Sequence, residues 1–349
     1  MPASGRDQED NGVLKLFKET RGALYHGLAL AYALTGYGLG IAGLFSSHLA
    51  INLLAMLWLA HAMIIGGYLL HECAHNTVFK SNEHNARLGK LLTWVTGSCY
   101  GTYEDIRFKH FRHHVDNADI IWFEYDKWFA RHPWVLKTIQ VLEWFYIPAH
   151  DVLMHGVMVF GAFIIPQRRS QRLRNLSFIV LRGSLFAALL WFFPFAALLY
   201  AVAYLLMMTV LRFMDAPQHD YGGTPTLFEK APAPYKGDRG YEQAHTFSNP
   251  LSVTHPWVNV LVLNFGFHNA HHAKPTTPWY RLPALHRELY GEQRQMLIPF
   301  LAQLKSFHRF RVSRVVMMEG PSAESADYLP LLQSGHISGG NAASFLTSF

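Results

Sequence analysis

This sequence predicts an all-α, integral-membrane fold: four transmembrane helices in two hairpins, with interfacial helices and a cytoplasmic cap that carries a metal site. Three observations point there: scarce charge, two long apolar stretches, and histidines grouped at helical spacing. Of 349 residues, 50% are hydrophobic, 14% aromatic and only 15% charged, where soluble domains carry roughly 25% charged residues. The 21 histidines suggest metal or proton chemistry, since imidazole is the commonest metal ligand and titrates nearest neutral pH.

The first hairpin is written from Ala23 to Leu70, a stretch without one Asp, Glu, Lys or Arg. A crossing helix needs about 20 apolar residues, so this length holds two spans, about 23–46 and 49–70, turning at Ser46-Ser47-His48. The second hairpin is expected at about 175–193 and 195–213, turning near Pro194. Arg182 interrupts it and must snorkel or face a polar interior. The apolar stretches Leu88–Tyr103 and Val152–Pro166 are short or interrupted, which suits helices lying in the interface.

Charge placement sets the expected orientation. Lys15, Lys18 and Arg21 precede the first hairpin; Lys80, Arg87, Lys90, Arg107, Lys109 and Arg112 occupy the centre, followed by Arg168, Arg169, Arg172 and Arg174. Neither inter-span turn carries a basic residue. By the positive-inside rule both termini and the centre are cytoplasmic, in a multi-pass protein of a bacterial inner membrane. The net charge of +6 then reflects topology, no nucleic-acid partner is expected, and the run Arg168–Arg174 reads as a membrane-surface anchor.

Met1–Thr20 is polar, without a signal-peptide core. Cys73 and Cys99 make no disulfide framework of the secreted type. Three regions are expected: an N-terminal cytoplasmic segment (1–22), the membrane domain (23–290) and a C-terminal extension (291–349) with a loosely structured tail from Gly320.

The histidine groups carry the chemistry. His71 and His75 lie four apart, directly after the second span. His110, His113 and His114 follow in the centre, and His268, His271 and His272 repeat that spacing after the second hairpin. Residues three and four apart share a helix face, so each group can converge on an ion. Eight imidazoles exceed what one tetrahedral zinc uses, and two metals with four or five nitrogens each is the natural division. Imidazole suits Zn, Cu, Fe and Ni, so spacing does not choose the element. His71-Glu72-Cys73-Ala74-His75 also matches the H-E-x-x-H pattern of zinc proteases, a rival reading that leaves the other two groups without a role.

These motifs resemble the membrane fatty acid desaturase superfamily, whose three boxes are H-x(3-4)-H, H-x(2-3)-H-H and (H/Q)-x(2-3)-H-H. The first group followed by Asn76 looks like the H-E-C-G-H box of acyl-lipid desaturases. Phe267–Arg281 resembles the last box and its Pro-rich sequel. The likeness covers roughly residues 20–290.

The resemblance implies two iron ions, O2 as co-substrate and His71, His75, His110, His113, His114, His268, His271 and His272 as ligands. Gln218-His219, after the fourth span, resembles a Q-H-T element and implies His219 as a ninth ligand. His245 competes for that place, and the helix-mouth position favours His219. Asp215 stands where stearoyl-CoA desaturases have a water-bridged asparagine, implying a neighbouring or water-bridged role. Glu72, Asp116, Asn117, Asp119, Asn264 and Asn269 are the polar neighbours from which orienting partners are expected. His26, His48, His61, His132, His150 and His155 fit no box and read as bundle or interface histidines.

The implied reaction is O2-dependent desaturation of a long acyl chain of a lipid. Hydroxylation or ketolation of a carotenoid, alkane or other lipid is the alternative. No haem-binding H-P-G-G or nucleotide motif is present. An external ferredoxin- or cytochrome-type donor with its reductase is therefore implied, and the basic residues Arg107, Lys109 and Arg112 offer it a surface or meet anionic lipid.

Overall fold

The computed structural model describes residues 14–221, 224–230, 233–291, 296–316 and 330–332. Most of the expected tail beyond Gly320, and residues 1–13 of the N-terminal segment, lie outside these. Among the described residues there is no β-strand, only isolated bridges.

Helix α1 (Thr20–Gly43) and helix α2 (Leu49–Ala74) form the first hairpin. Glycines explain how closely they pack: a Cβ on Gly36, Gly40 or Gly43 would come within 2.5–2.9 Å of Trp58, Leu59 or Ala55 on α2. Small residues at such spacing let helices approach backbone to backbone, as in membrane helix pairs. Asn52 closes the turn, its amide donating to the carbonyls of Gly43, Leu44 and Ser46 at 3.0–3.1 Å. These are orphan acceptors at the end of α1. Helix α2 runs past the expected end at residue 70, carrying the first histidine group on its last turn.

The centre folds as α3 (Asn82–Val95), α4 (Tyr103–Asp116), α5 (Tyr125–Arg131), α6 (Pro133–Trp144) and α7 (Ala149–Ile164). Helix α8 (Arg172–Phe192) and helix α9 (Pro194–Asp215) form the second hairpin, with Pro194 opening α9, a position where its missing N–H costs no bond. Then come α10 (Arg239–Ala244), α11 (His268–Ala273), α12 (Leu282–Tyr290) and α13 (Phe300–Arg309).

Three of the described helices are long and apolar enough to cross a membrane: Leu49–Ala74, Pro166–Phe192 and Pro194–Asp215. Helix α1 has the length but not the hydropathy, because glycines, tyrosines and His26 dilute its leucines. The hairpins also differ in exposure. The crossing window of α2 is 56% buried within the protein, that of α8 only 6%. Leu173, Leu185 and Trp191 of α8 face outward with no protein cover.

One charge expectation is met and two need correcting. Arg182 turns inward, donating to Trp94 O at 2.9 Å. Arg168 is no surface anchor: it is fully buried, over the Trp122 ring and 3.6 Å from Asp105, in space that Gly161 leaves open. Arg174 likewise donates to Cys99 O at 2.7 Å, so these cations satisfy carbonyls of the segment before α4. Finally, Arg107, Lys109 and Arg112 make no basic surface. Lys109 is buried, Arg107 donates to Ala74 O, and Arg112 pairs with Asp116 at 2.6 Å.

Candidate metal centre

The first group sits at the end of α2, where Asn76 leaves the helix at φ 53°. Tyr103 on α4 anchors the second group against it, donating to Cys73 O at 2.8 Å. Gly89 makes room for the Tyr103 ring, which a Cβ there would strike at 2.2 Å. Helix α4 begins on Thr102, whose hydroxyl accepts from Asp105 N, and stops at Asn117 in the left-handed region. Its face therefore presents His110, His113 and His114 inward, all buried.

The third group rides on α11. Asn269 fixes it, its amide donating to Thr246 O while its carbonyl oxygen accepts from Ser248 Oγ at 2.7 Å. His219 lies just past α9 in a bridge opposite Thr246.

All nine expected histidines are buried and come together in two groups. His71, His75, His110, His114 and His271 form one; His113, His219, His268 and His272 form the other; within each, the potential ligand atoms lie within 4.8 Å of one another. The groups adjoin, with the rings of His114 and His272 4.2 Å apart. His245 is outside: its ring stacks on Tyr241 at 3.9 Å and its Nδ1 bonds Tyr241 O. Asp215 is buried at the end of α9 but belongs to neither group; its charge acts on Lys109 and Asp119.

The nitrogens meet in a way that hydrogen bonding alone does not satisfy. His110 Nε2 lies 2.6 Å from His75 Nε2 and 3.2 Å from His114 Nε2, which is itself 3.2 Å from His271 Nε2. In the other group His219 Nε2 lies 2.8 Å from His268 Nε2 and 3.2 Å from His272 Nε2. A neutral imidazole has a single N–H, so protons cannot fill every one of these contacts. Nitrogens about 2.1 Å from one cation and at right angles stand about 3 Å apart, so the donor set fits a metal in each group.

The electrostatics agree. Burial, then repulsion from neighbouring imidazoles, pushes His75, His110, His219, His268, His271 and His272 well below the usual histidine range. His113 falls to about 3. In its neutral form each ring offers a nitrogen lone pair to a cation.

Two carboxylates stand behind them. Glu242 Oε1 accepts from His272 Nδ1 at 2.9 Å and lies 3.9 Å from His114 Nδ1. Asp119 Oδ1 lies 3.4 Å from His113 Nδ1 and 3.6 Å from His219 Nδ1. Glu242 fixes the orientation and tautomer of His272, and the Ala118 carbonyl, 3.0 Å from His113 Nδ1, does so for His113. Asp119 was among the expected neighbours. Glu242 was not, and its sequence signal was only proximity to His245.

The other polar neighbours hold the scaffold. Asn117 donates to Tyr235 O and Asp238 O, and Asn264 to Trp279 O. Glu72 accepts from Thr77 Oγ1 at 2.6 Å and from Trp279 N at 3.2 Å. The Glu of the H-E-x-x-H match thus ties the first box to the sequel of the third.

A fatty acid desaturase family model matches residues 47–302, well over half of the chain. The chain belongs to this family. No curated individual protein matches it significantly. Within the family frame the described apolar helices and the buried histidines mark a membrane protein of oxidoreductase type, with clusters able to bind metal.

Proposed function

We propose that the protein is an O2-dependent lipid desaturase that introduces a double bond into a long acyl chain, using two iron ions held by the nine histidines and electrons from an external donor. One observation carries the reading: nine buried imidazoles turn their nitrogens together in groups of five and four beneath apolar helices.

When bound, the iron pair supplies the redox chemistry with O2, a role closed to zinc. The chain's part is positioning. The boxes on α2, α4 and α11 hold ligand nitrogens in place before metal arrives. The Ala118 carbonyl and Glu242 keep protons on the outward Nδ1 atoms of His113 and His272, leaving Nε2 to point inward. Burial excludes water from the reacting centre. Glu72 is held by Thr77 and Trp279, which disfavours its use as a protease base.

In this reading α1 also crosses the membrane, packed along α2, so that two hairpins place both termini and the centre on the cytoplasmic side. Charge distribution supports that orientation. The donor, of ferredoxin or cytochrome type, approaches from the same side.

The test is expression in a bacterium lacking desaturases, followed by mass spectrometry of its lipids. New double bonds are expected. Hydroxylated lipid or modified pigment, without unsaturation, would overturn the reading.

A further inference from the structure

A row of aromatic rings leads from the protein surface to the four-membered histidine group. Tyr235 is its outer end, 48% exposed. Its ring lies on that of Tyr241, with centres 3.7 Å apart and planes 7° from parallel. Tyr241 is held between two rings, since His245 also stacks on it at 3.9 Å. Tyr221 follows, buried, its centre 6.2 Å from that of Tyr241 and its plane 28° from parallel. The Tyr221 ring then stacks on His219 at 4.8 Å. Aromatic pairs interact out to centre separations of roughly 7 Å, so the row has no break.

The row is held by bonds that also hold the site. Asn117, at the end of α4, donates to Tyr235 O and Asp238 O at 2.7 Å. Asp238 caps α10 by accepting from Tyr241 N at 2.9 Å. Tyr221 Oη lies 2.7 Å from Thr246 Oγ1, whose own hydroxyl donates to Glu242 O at 2.6 Å. A hydroxyl carries one proton, so Tyr221 is the donor to Thr246 and stays a neutral phenol. Tyr221 Oη also lies 3.4 Å from His272 Nδ1, so this one residue touches two members of the group. A stack that only held the segment 235–245 in place would need Tyr235 and Tyr241, but not the continuation through Tyr221 to His219.

Resting on the iron-dependent function proposed above, we propose that this row is where electrons enter. A one-electron iron–sulfur or haem protein meets the exposed Tyr235, and the electron crosses Tyr235, Tyr241 and Tyr221 to the metal held by His219. Each transfer oxidises the donor's cluster or haem by one electron and reduces one ferric ion to ferrous, so two transfers reduce the pair. The rings are only the medium. They keep their own electrons and protons, and no proton moves with the electron. Rings in contact couple donor to acceptor more strongly than an aliphatic side chain across the same gap. Beyond His219, the rings of His114 and His272, 4.2 Å apart, continue the contact to the five-membered group.

The experiment uses the full-length, iron-loaded chain with a ruthenium–bipyridine photoreductant tethered at Lys236→Cys, beside Tyr235. The native Cys73 and Cys99 are buried, so the label goes to position 236. After an anaerobic flash, absorbance of the ferric pair reports its reduction. Tyr241→Leu should slow that reduction several-fold, with iron content and the ferric spectrum unchanged. Tyr241→Phe keeps the ring and loses only the hydroxyl, and should retain the parent rate. Tyr235→Leu, at the exposed end of the row, should also slow reduction and serves where Tyr241→Leu does not fold. Equal rates in the parent and the leucine variants would overturn the proposal. So would slowing by Phe111→Leu alone, because Phe111 lies 5.7 Å from His75 and would place entry at the five-membered group. A chain without iron, or iron that dithionite does not reduce, is seen before any flash; it would overturn the functional reading itself and this proposal with it.

Discussion

The two histidine groups are unlike in what stands behind them. In the four-membered group Glu242 accepts from His272 Nδ1 at 2.9 Å and the Ala118 carbonyl pairs with His113 Nδ1 at 3.0 Å, with Asp119 Oδ1 farther off, 3.4 Å from His113 and 3.6 Å from His219. In the five-membered group, aromatic rings stand there, Phe265 against His71 and Phe111 against His75 at 5.7 Å. Glu242 reaches across to His114 only at 3.9 Å. Anionic acceptors raise the basicity of imidazole ligands and lock their tautomer. Aromatic rings flank both groups, Phe265 also lying 5.1 Å from His268 and Tyr221 stacking on His219 at 4.8 Å, so it is the direct Glu242 acceptor that sets the four-membered group apart.

The largest effects test the division itself. His110→Ala should empty the five-membered group and His219→Ala the four-membered one, each abolishing activity while losing the metal of its own side. Metal analysis with an activity assay checks this; loss of both ions from either single variant would show one cooperative site instead. Next comes the carboxylate backing. Glu242→Gln keeps the shape but removes the charge facing His272, and metal affinity should fall about 10- to 100-fold. Asp119→Asn should act in the same direction but more weakly, since its contacts of 3.4 and 3.6 Å are longer than the 2.9 Å of Glu242. An Asp119 variant worse than the Glu242 variant would reverse the ranking.

A further effect separates the imidazoles from the metal. His113 is near 3 in the folded chain, against an ordinary value of about 6.5 when unfolded. The unfolded chain therefore takes up the proton first as pH falls. Metal-free protein should keep its full stability above about pH 6.5 and lose stability progressively toward pH 3. Denaturant unfolding at a series of pH values checks this, and stability rising on acidification would contradict it. The smallest effect belongs to His245→Ala, which should leave metal content and activity near those of the parent chain. Inactivation by that change, with His219→Ala active, would reassign the ninth position.

What the sequence made legible was local. Histidines three and four apart share a face on any helix, so the boxes could be read before their partners were known. His219 was legible from its place at the mouth of α9. Glu242 was not, because its approach to His272 depends on how the segment 238–248 folds back over α11. The basic surface failed for a reason the sequence did contain. Lys109 lies four residues before His113 on α4, so a stripe that turns His113 inward buries Lys109 with it. Arg168 was misread because a run of arginines looks alike whether it meets phosphate groups or backbone carbonyls. The two hairpins could be outlined from hydropathy, yet only packing revealed that α1 relies on glycines against α2 while α8 faces outward almost bare.

Metal analysis of the purified full-length chain tests the central claim most directly. The account predicts two iron ions per chain, one for each histidine group. A single stoichiometric zinc ion, with the four-membered group empty, would contradict it.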